Sequence, residues 1–238
     1  MDPLVVIPTY NERDNLPIVL ARLLALPDVR VLVVDDASPD GTGAIADAAA
    51  ANSGGRVTVI HRAGARGLGR SYIDGMRRAL DLGATHVCQM DADLSHDPAD
   101  VPRLIAATAD ADMVIGSRYV PGGSIENWPL RRVVLSAFAN RYVRAIAGLR
   151  INDCTSGFRC WRREALARLP LDRITSDGYA FLVELAWDAV AAGCRVAEVP
   201  ITFVERRQGA SKLSGRVVVE SAILPWRLVL RARIDRSR

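Results

Sequence analysis

The 238-residue sequence predicts an α/β protein with a mostly parallel, Rossmann-like sheet and helices on both faces. Three observations predict it. Short, mostly apolar runs read as strands buried on both sides: Leu4–Ile7, Arg30–Val34, Val57–Ile60, Val87–Met90 and Met113–Gly116. Segments with apolar residues at helical spacing separate these runs. The intervals are short and repeat, as βα units do. The length suits one large domain.

Each element has its own signal. Pro8 stops the first strand, and Asn11 is a candidate N-cap. Leu16, Val19, Leu20, Leu23 and Leu24 then recur at helical spacing until Pro27. The second strand ends in Asp35-Asp36, the turn Ser38-Pro-Asp-Gly41 follows, and Thr42 starts an Ala-rich helix. Leu68 to Leu82 reads as a helix after the third strand. Pro98 opens a helix after the fourth. Further on, helices are expected over 132–147, 164–169 and 179–192, with a polar turn at 152–157. Residues 196–204 read as a strand pair, or as one strand interrupted by Pro200. A loop at 208–215 and a last helix over 217–231, kinked at Pro225, complete the chain.

Composition removes several classes of function. Four cysteines at 88, 154, 160 and 194 show no CxxC spacing, and His61, His86 and His96 do not group with them. That argues against a zinc site and a disulfide framework. Aromatic residues make up 5% of the chain, too few to interleave with a basic face for nucleic acid. No apolar run approaches the ~20 residues of a membrane span, and the first residues enter a strand pattern with no signal-peptide signature. The net charge of +4 favours anionic partners. Arg227, Arg231, Arg233, Arg236 and Arg238 face one acid, Asp235, near the C-terminus. The segment from Val217 is either a helix that packs and frays or an Arg-rich helix on an anionic membrane.

In doubly wound sheets, ligands bind beyond the carboxyl ends of the strands. That edge gathers Pro8 to Glu12, Asp35-Asp36, Asp91-Ala-Asp93 and Ser117-Arg118. Asp91 and Asp93 are hard oxygen ligands one residue apart, suited to a divalent cation bridged to phosphate. Asp35 and Asp36 are turn formers or ribose ligands. Gly67-Leu-Gly69 looks like the start of a dinucleotide fingerprint, but Tyr72 stands at the third glycine position, which demotes a dehydrogenase. Arg118, Arg206 and Lys212 are cations in turn-like contexts that could balance a diphosphate.

The ordered strings are Ile7-Pro-Thr-Tyr-Asn-Glu12, Val33-Val-Asp-Asp-Ala-Ser-Pro-Asp-Gly-Thr42, Met90-Asp-Ala-Asp-Leu-Ser-His96, Gly116-Ser-Arg-Tyr119, Asn127-Trp-Pro129, Thr155-Ser-Gly-Phe-Arg159, and Phe203-Val-Glu-Arg206 with Gly209-Ala-Ser-Lys-Leu213. Together they closely resemble the dolichol-phosphate (polyprenol-phosphate) mannose synthases, inverting family-two glycosyltransferases. The resemblance runs from about residue 4 to residue 225. Its first three strings are widespread in the family, while the loop with Lys212 is specific to the polyprenol-phosphate branch.

The resemblance implies a type-A glycosyltransferase (nucleotide-diphospho-sugar transferase) fold. It implies a catalytic domain over 1–215 and an amphipathic basic helix over 216–238 that touches a membrane. Pro8, Tyr10, Glu12, Val34 and Asp36 would hold the base and ribose. Asp91, Ala92 and Asp93 would meet the diphosphate, with Asp93 the main Mg2+ or Mn2+ ligand and Asp91 and Ser95 beside it. Some relatives carry Gln in place of Ser95, so a water is expected to intervene at the shorter side chain. Arg118 would face the donor sugar, Arg206 and Lys212 the diphosphate, and Arg132 and Ser136 the lipid phosphate.

The implied reaction is transfer of mannose from GDP-mannose to a polyprenyl monophosphate with inversion. The implied setting is peripheral, on the cytoplasmic face of a membrane, with or without a membrane partner subunit. Two alternatives stay open: a UDP-glucose-dependent polyprenyl-phosphate glucosyltransferase, and a non-catalytic nucleotide-sugar-binding subunit.

Overall fold

The computed structural model describes residues 1–176, 178–205 and 222–231. The order is β1 (Pro3–Thr9), α1 (Leu16–Leu24), β2 (Arg30–Asp35), α2 (Thr42–Asn52), β3 (Val57–His61), α3 (Leu68–Asp81), β4 (His86–Gln89), α4 (Val101–Ala107) and β5 (Met113–Ser117). Then come β6 (Ser124–Glu126), α5 (Leu130–Ala147), β7 (Arg159–Arg162), α6 (Arg163–Leu166), α7 (Gly178–Ala191), β8 (Val196–Pro200) and β9 (Thr202–Val204). Residues 222–231 are helical.

Seven strands form one sheet in the order β3-β2-β1-β4-β7-β5-β8. All neighbouring pairs are parallel except those of β7, which runs antiparallel between β4 and β5. Alternate residues of β1 enter opposite cores: Leu4 and Val6 face α3 and α7, whereas Val5 and Ile7 face α1 and α4. Helix α3 lies unusually close to the sheet. A Cβ on Gly75 would stand 2.3 Å from Val6 Cγ1 and 3.0 Å from Val34 Cγ2. No helix among the described residues is long and apolar enough to cross a membrane.

Several expectations need correction. Asn11 is not a cap: it sits at a left-handed φ of 59°, donates its backbone N–H to Ser38 Oγ, and the helix begins at Leu16. Strand β7 was not legible, because Arg159-Cys-Trp-Arg162 has charged ends and mixes with a turn motif. Residues 196–204 belong to two sheets, since β9 pairs with β6 apart from the main sheet. Of the helix expected over 217–231, residues 217–221 lie outside the described residues, and Pro225 falls within the helical stretch.

The apolar face of α5 is the largest surprise. Only Asn140 and Val143 of α5 are buried. Leu130, Val134, Leu135 and Phe138 point to solvent, as do Trp226 and Leu230 of the terminal helix, each between 53% and 77% exposed. The two helices touch: Trp226 Nε1 donates to Tyr142 Oη (2.8 Å), and Tyr142 Oη donates to the Ala222 carbonyl (2.8 Å).

Candidate active site

The carboxyl ends of β1, β2 and β4 converge as the alternation predicts, and the loops there are pinned by their own polar side chains. Asp35 is buried and accepts from Thr9 Oγ1 (3.2 Å) and Ser38 Oγ (2.5 Å). It therefore closes the β2 turn. Asp36 is also buried, and both its oxygens are engaged. One pairs with Arg62, and the other accepts the Gly67 backbone N–H at 2.9 Å. Arg62 extends the link to Asp74 of α3 at 2.7 Å. Asp36 thus fixes the loop leading into α3, a role the sequence did not signal.

Tyr10 lies at the same edge. Arg66 stacks over its ring at 4.4 Å and donates to its hydroxyl at 2.6 Å. Glu12 accepts from Asn15 Nδ2 (2.8 Å), and its backbone N–H donates to Thr42 Oγ1 (3.0 Å). Pro8 is buried beside Val34 in register. The Val34 side chain is fully buried against α3.

Strand β4 delivers the acidic pair. Asp91 and Asp93 are half-buried, with buried Ala92 between them. Tyr72 of α3 donates its hydroxyl to Asp91 Oδ1 at 2.7 Å. Asp93 Oδ1 accepts the Ser95 backbone N–H at 3.1 Å, so Ser95 shapes the turn with its main chain. The Ser95 side chain is buried, and its carbonyl accepts Val204 N–H at 3.1 Å, tying β9 to the acidic loop. His96 packs between Phe158 and Phe203, with centroids 5.0 and 5.3 Å away. Burial pushes its imidazole pKa down against the pull of Asp91 and Asp93, which keeps it neutral near pH 7.

Among the described residues, no group of three or more His, Cys, Asp or Glu is placed to hold a metal. The donor set fits a cation of the Mg2+ or Mn2+ kind shared with a ligand: two carboxylates at one strand end, the rest of the shell left to phosphate and water.

Arg118 follows β5. It is buried, and its guanidinium grips Asp153 with two bonds, Nε to Oδ2 (2.7 Å) and Nη2 to Oδ1 (2.6 Å). Its Nη2 also donates to Thr155 Oγ1 (2.8 Å). Asp153 thus supplies a counter-charge inside the protein. Asp153 is locked in turn, since its N–H and that of Asn152 donate to Glu198 at 2.9 and 2.8 Å. Neither Asp153 nor Glu198 carries a motif signal.

Trp128 forms the wall beyond. Phe203 meets it edge-on at 5.3 Å, and Arg132 stacks on it at 3.9 Å. Arg132 also pairs with Glu205 at 2.7 Å. Ser136 lies one turn further along α5 and faces the Tyr119 hydroxyl, whose pKa burial raises despite that contact. His96 Nδ1 and Trp128 Nε1 are buried with no hydrogen-bond partner among the described residues. The structure therefore joins the acidic loop, Trp128 and Arg132 through Phe203 and residues 204–205. Arg206 and Lys212 lie outside the described residues.

Known proteins with this pattern are numerous. The family description "Glycosyl transferase family 2" matches residues 4–169. The polyprenol monophosphomannose synthase of Mycolicibacterium smegmatis is 49% identical over 99% of this chain and 89% of its own length. The undecaprenyl-phosphate mannosyltransferase of Micrococcus luteus is 48% identical over 100% of this chain and 98% of its own. The chain belongs to glycosyl transferase family 2.

This glycosyltransferase also shares its fold with the glucosyl-3-phosphoglycerate synthase of Mycobacterium tuberculosis, solved with Mn2+, UDP-glucose and phosphoglyceric acid. The TM-score is 0.63 at 20% identity, covering 94% of this chain and 79% of that one. The type-A expectation holds, with the antiparallel β7 as the exception within an otherwise parallel sheet.

Proposed function

We propose that this glycosyltransferase moves mannose from GDP-mannose to a polyprenyl monophosphate, with inversion at the anomeric carbon. The observation that carries the reading is the near full-length identity to two relatives named for this transfer, together with the acidic pair at the end of β4. Tyr10, Glu12 and the main chain around Val34 and Asp36 receive the nucleoside. Asp93, supported by Asp91, receives the diphosphate together with Mg2+ or Mn2+. When bound, that cation neutralises charge on the departing diphosphate.

The chain's own residues handle the acceptor. A phosphate monoester is already an oxyanion near neutral pH, so no general base is needed. Positioning is the main requirement, because two anions must be held together. Arg132 and Ser136 of α5 hold the lipid phosphate. Arg118, held by Asp153, keeps the Ser117–Tyr119 turn rigid below Trp128.

The membrane enters through α5. Its sequence from Leu130 to Ala147 holds four arginines and no acid, and its outer face is Leu130, Val134, Leu135 and Phe138. The terminal helix extends this face with Trp226 and Leu230. An apolar stripe with only positive charge suits an anionic lipid surface, which is where a polyprenyl phosphate resides. A donor panel tests the function. GDP-mannose, UDP-glucose and UDP-N-acetylglucosamine are each supplied with polyprenyl monophosphate in vesicles. Mannosyl lipid from GDP-mannose alone is expected. Glucosyl lipid instead selects the glucosyltransferase reading, and no turnover with any donor selects the binding-subunit reading.

A further inference from the structure

We propose that Tyr72 is a positioning residue that aims Asp91, holding one carboxylate oxygen so that the pair Asp91 and Asp93 presents an unequal set of ligands to the cation and diphosphate. This rests on the reading of that pair as the diphosphate site.

The geometry begins in α3. Gly69 and Gly75 let this helix press against its neighbours. A Cβ on Gly69 would meet the Ser176 carbonyl at 2.9 Å and Phe181 at 3.0 Å, and one on Gly75 would collide with Val6. The close approach carries Tyr72 over β1 to the end of β4. There it is fully buried, its ring parallel to Phe181 at 6.0 Å between centroids, and its hydroxyl 2.7 Å from Asp91 Oδ1. The residue that breaks the dinucleotide fingerprint is therefore the one that reaches the acidic pair.

The other side of Asp91 is bounded as closely. A Cβ on Gly157 would stand 3.2 Å from Asp91 Oδ2. Gly157 lies in the segment Thr155 to Arg159, which folds back on itself. Buried Arg159 donates to the carbonyls of Ser156 (2.8 Å) and Cys154 (2.8 Å), and Ser156 Oγ donates to the Gly116 carbonyl (2.6 Å). This gives a purpose to a motif for which the reaction itself needs no chemistry.

Tyr72→Phe keeps the ring and removes the bond. The measurement is Mn2+ affinity in the presence of GDP, from the electron paramagnetic signal of free Mn2+, alongside GDP affinity without metal. A charge-assisted hydrogen bond is worth enough that Mn2+ affinity should fall on the order of tenfold, with metal-free GDP affinity unchanged. Gly157→Ala should give the same selective loss by crowding Asp91 from the opposite side, and it serves if the Phe variant folds poorly. A merely structural role would lower the melting temperature and leave Mn2+ affinity of the folded protein intact, which overturns the proposal. Equal loss of GDP affinity with and without metal also overturns it. A wild-type protein that binds no Mn2+ with GDP overturns the site reading itself, and this inference with it.

Discussion

Replacing Asp153 by Asn should cost more in stability than any single change at the acidic pair. Asp153 is fully buried and accepts from the Arg118 backbone N–H (3.0 Å), Nε and Nη2. The Asn variant would take the Asp153 charge away from a guanidinium with 5% of its side chain exposed. Breaking one side of a buried ion pair costs about 3–5 kcal/mol. For a chain of this size, each kcal/mol lowers the melting temperature by roughly 2–4 °C, so a fall of about 6–20 °C is expected. Scanning calorimetry at pH 7 measures it. The double variant Arg118→Met, Asp153→Leu should lose less than the sum of its singles, because no orphan charge remains. A melting temperature within ~2 °C of wild type, with turnover lost, would refute the reasoning. It would mean that Arg118 is charged for the donor and not for the fold.

Three further outcomes follow from the same geometry. Arg132→Ala should raise the apparent KM for polyprenyl phosphate far more than that for the donor, read from initial rates with each substrate varied; equal changes would remove Arg132 from the acceptor side. Val134→Asp with Phe138→Asp should abolish flotation with anionic vesicles while GDP affinity is kept, whereas undiminished flotation would take α5 off the membrane. Burial raises the Asp188 carboxyl from 3.8 to about 6, against the pull of Arg231 and with a push from Glu184. A raised acid favours the protonated folded state, so its contribution is full below 3.8 and is lost as pH rises to about 6. The melting temperature of wild type relative to Asp188→Asn should therefore fall across that window, and a pH-independent difference would contradict this.

The architecture was legible because buried parallel strands leave apolar runs that little else produces. Val31 to Val34 and Val87 to Met90 are such runs, and their ends placed Asp35, Asp36, Asp91 and Asp93 at one edge. Strand β7 escaped because its pattern is set by what it supports: Arg159 and Trp161 are buried and polar-tipped, and Trp161 Nε1 finds Gln89 at 2.8 Å across the pair. The partners of the motif residues escaped for a similar reason. Asp153 for Arg118, Tyr72 for Asp91 and Arg62 for Asp36 lie 35, 19 and 26 residues away, and only folding shows that they meet. Periodicity marked α5 as amphipathic but did not say which side faces out. The exposed side is the apolar one, which a soluble-domain rule reads backwards.

The central claim is that the carboxylates at the end of β4 serve mannosyl transfer to a lipid phosphate. It is tested most directly by one assay: mannosyl lipid and GDP released from GDP-mannose and vesicle-borne polyprenyl monophosphate, with and without EDTA, for wild type and Asp93→Ala. The account predicts equal amounts of both products from wild type, none after EDTA, and none from the variant when Mg2+ or Mn2+ is in excess. Near-normal mannosyl lipid from Asp93→Ala with added cation would contradict it.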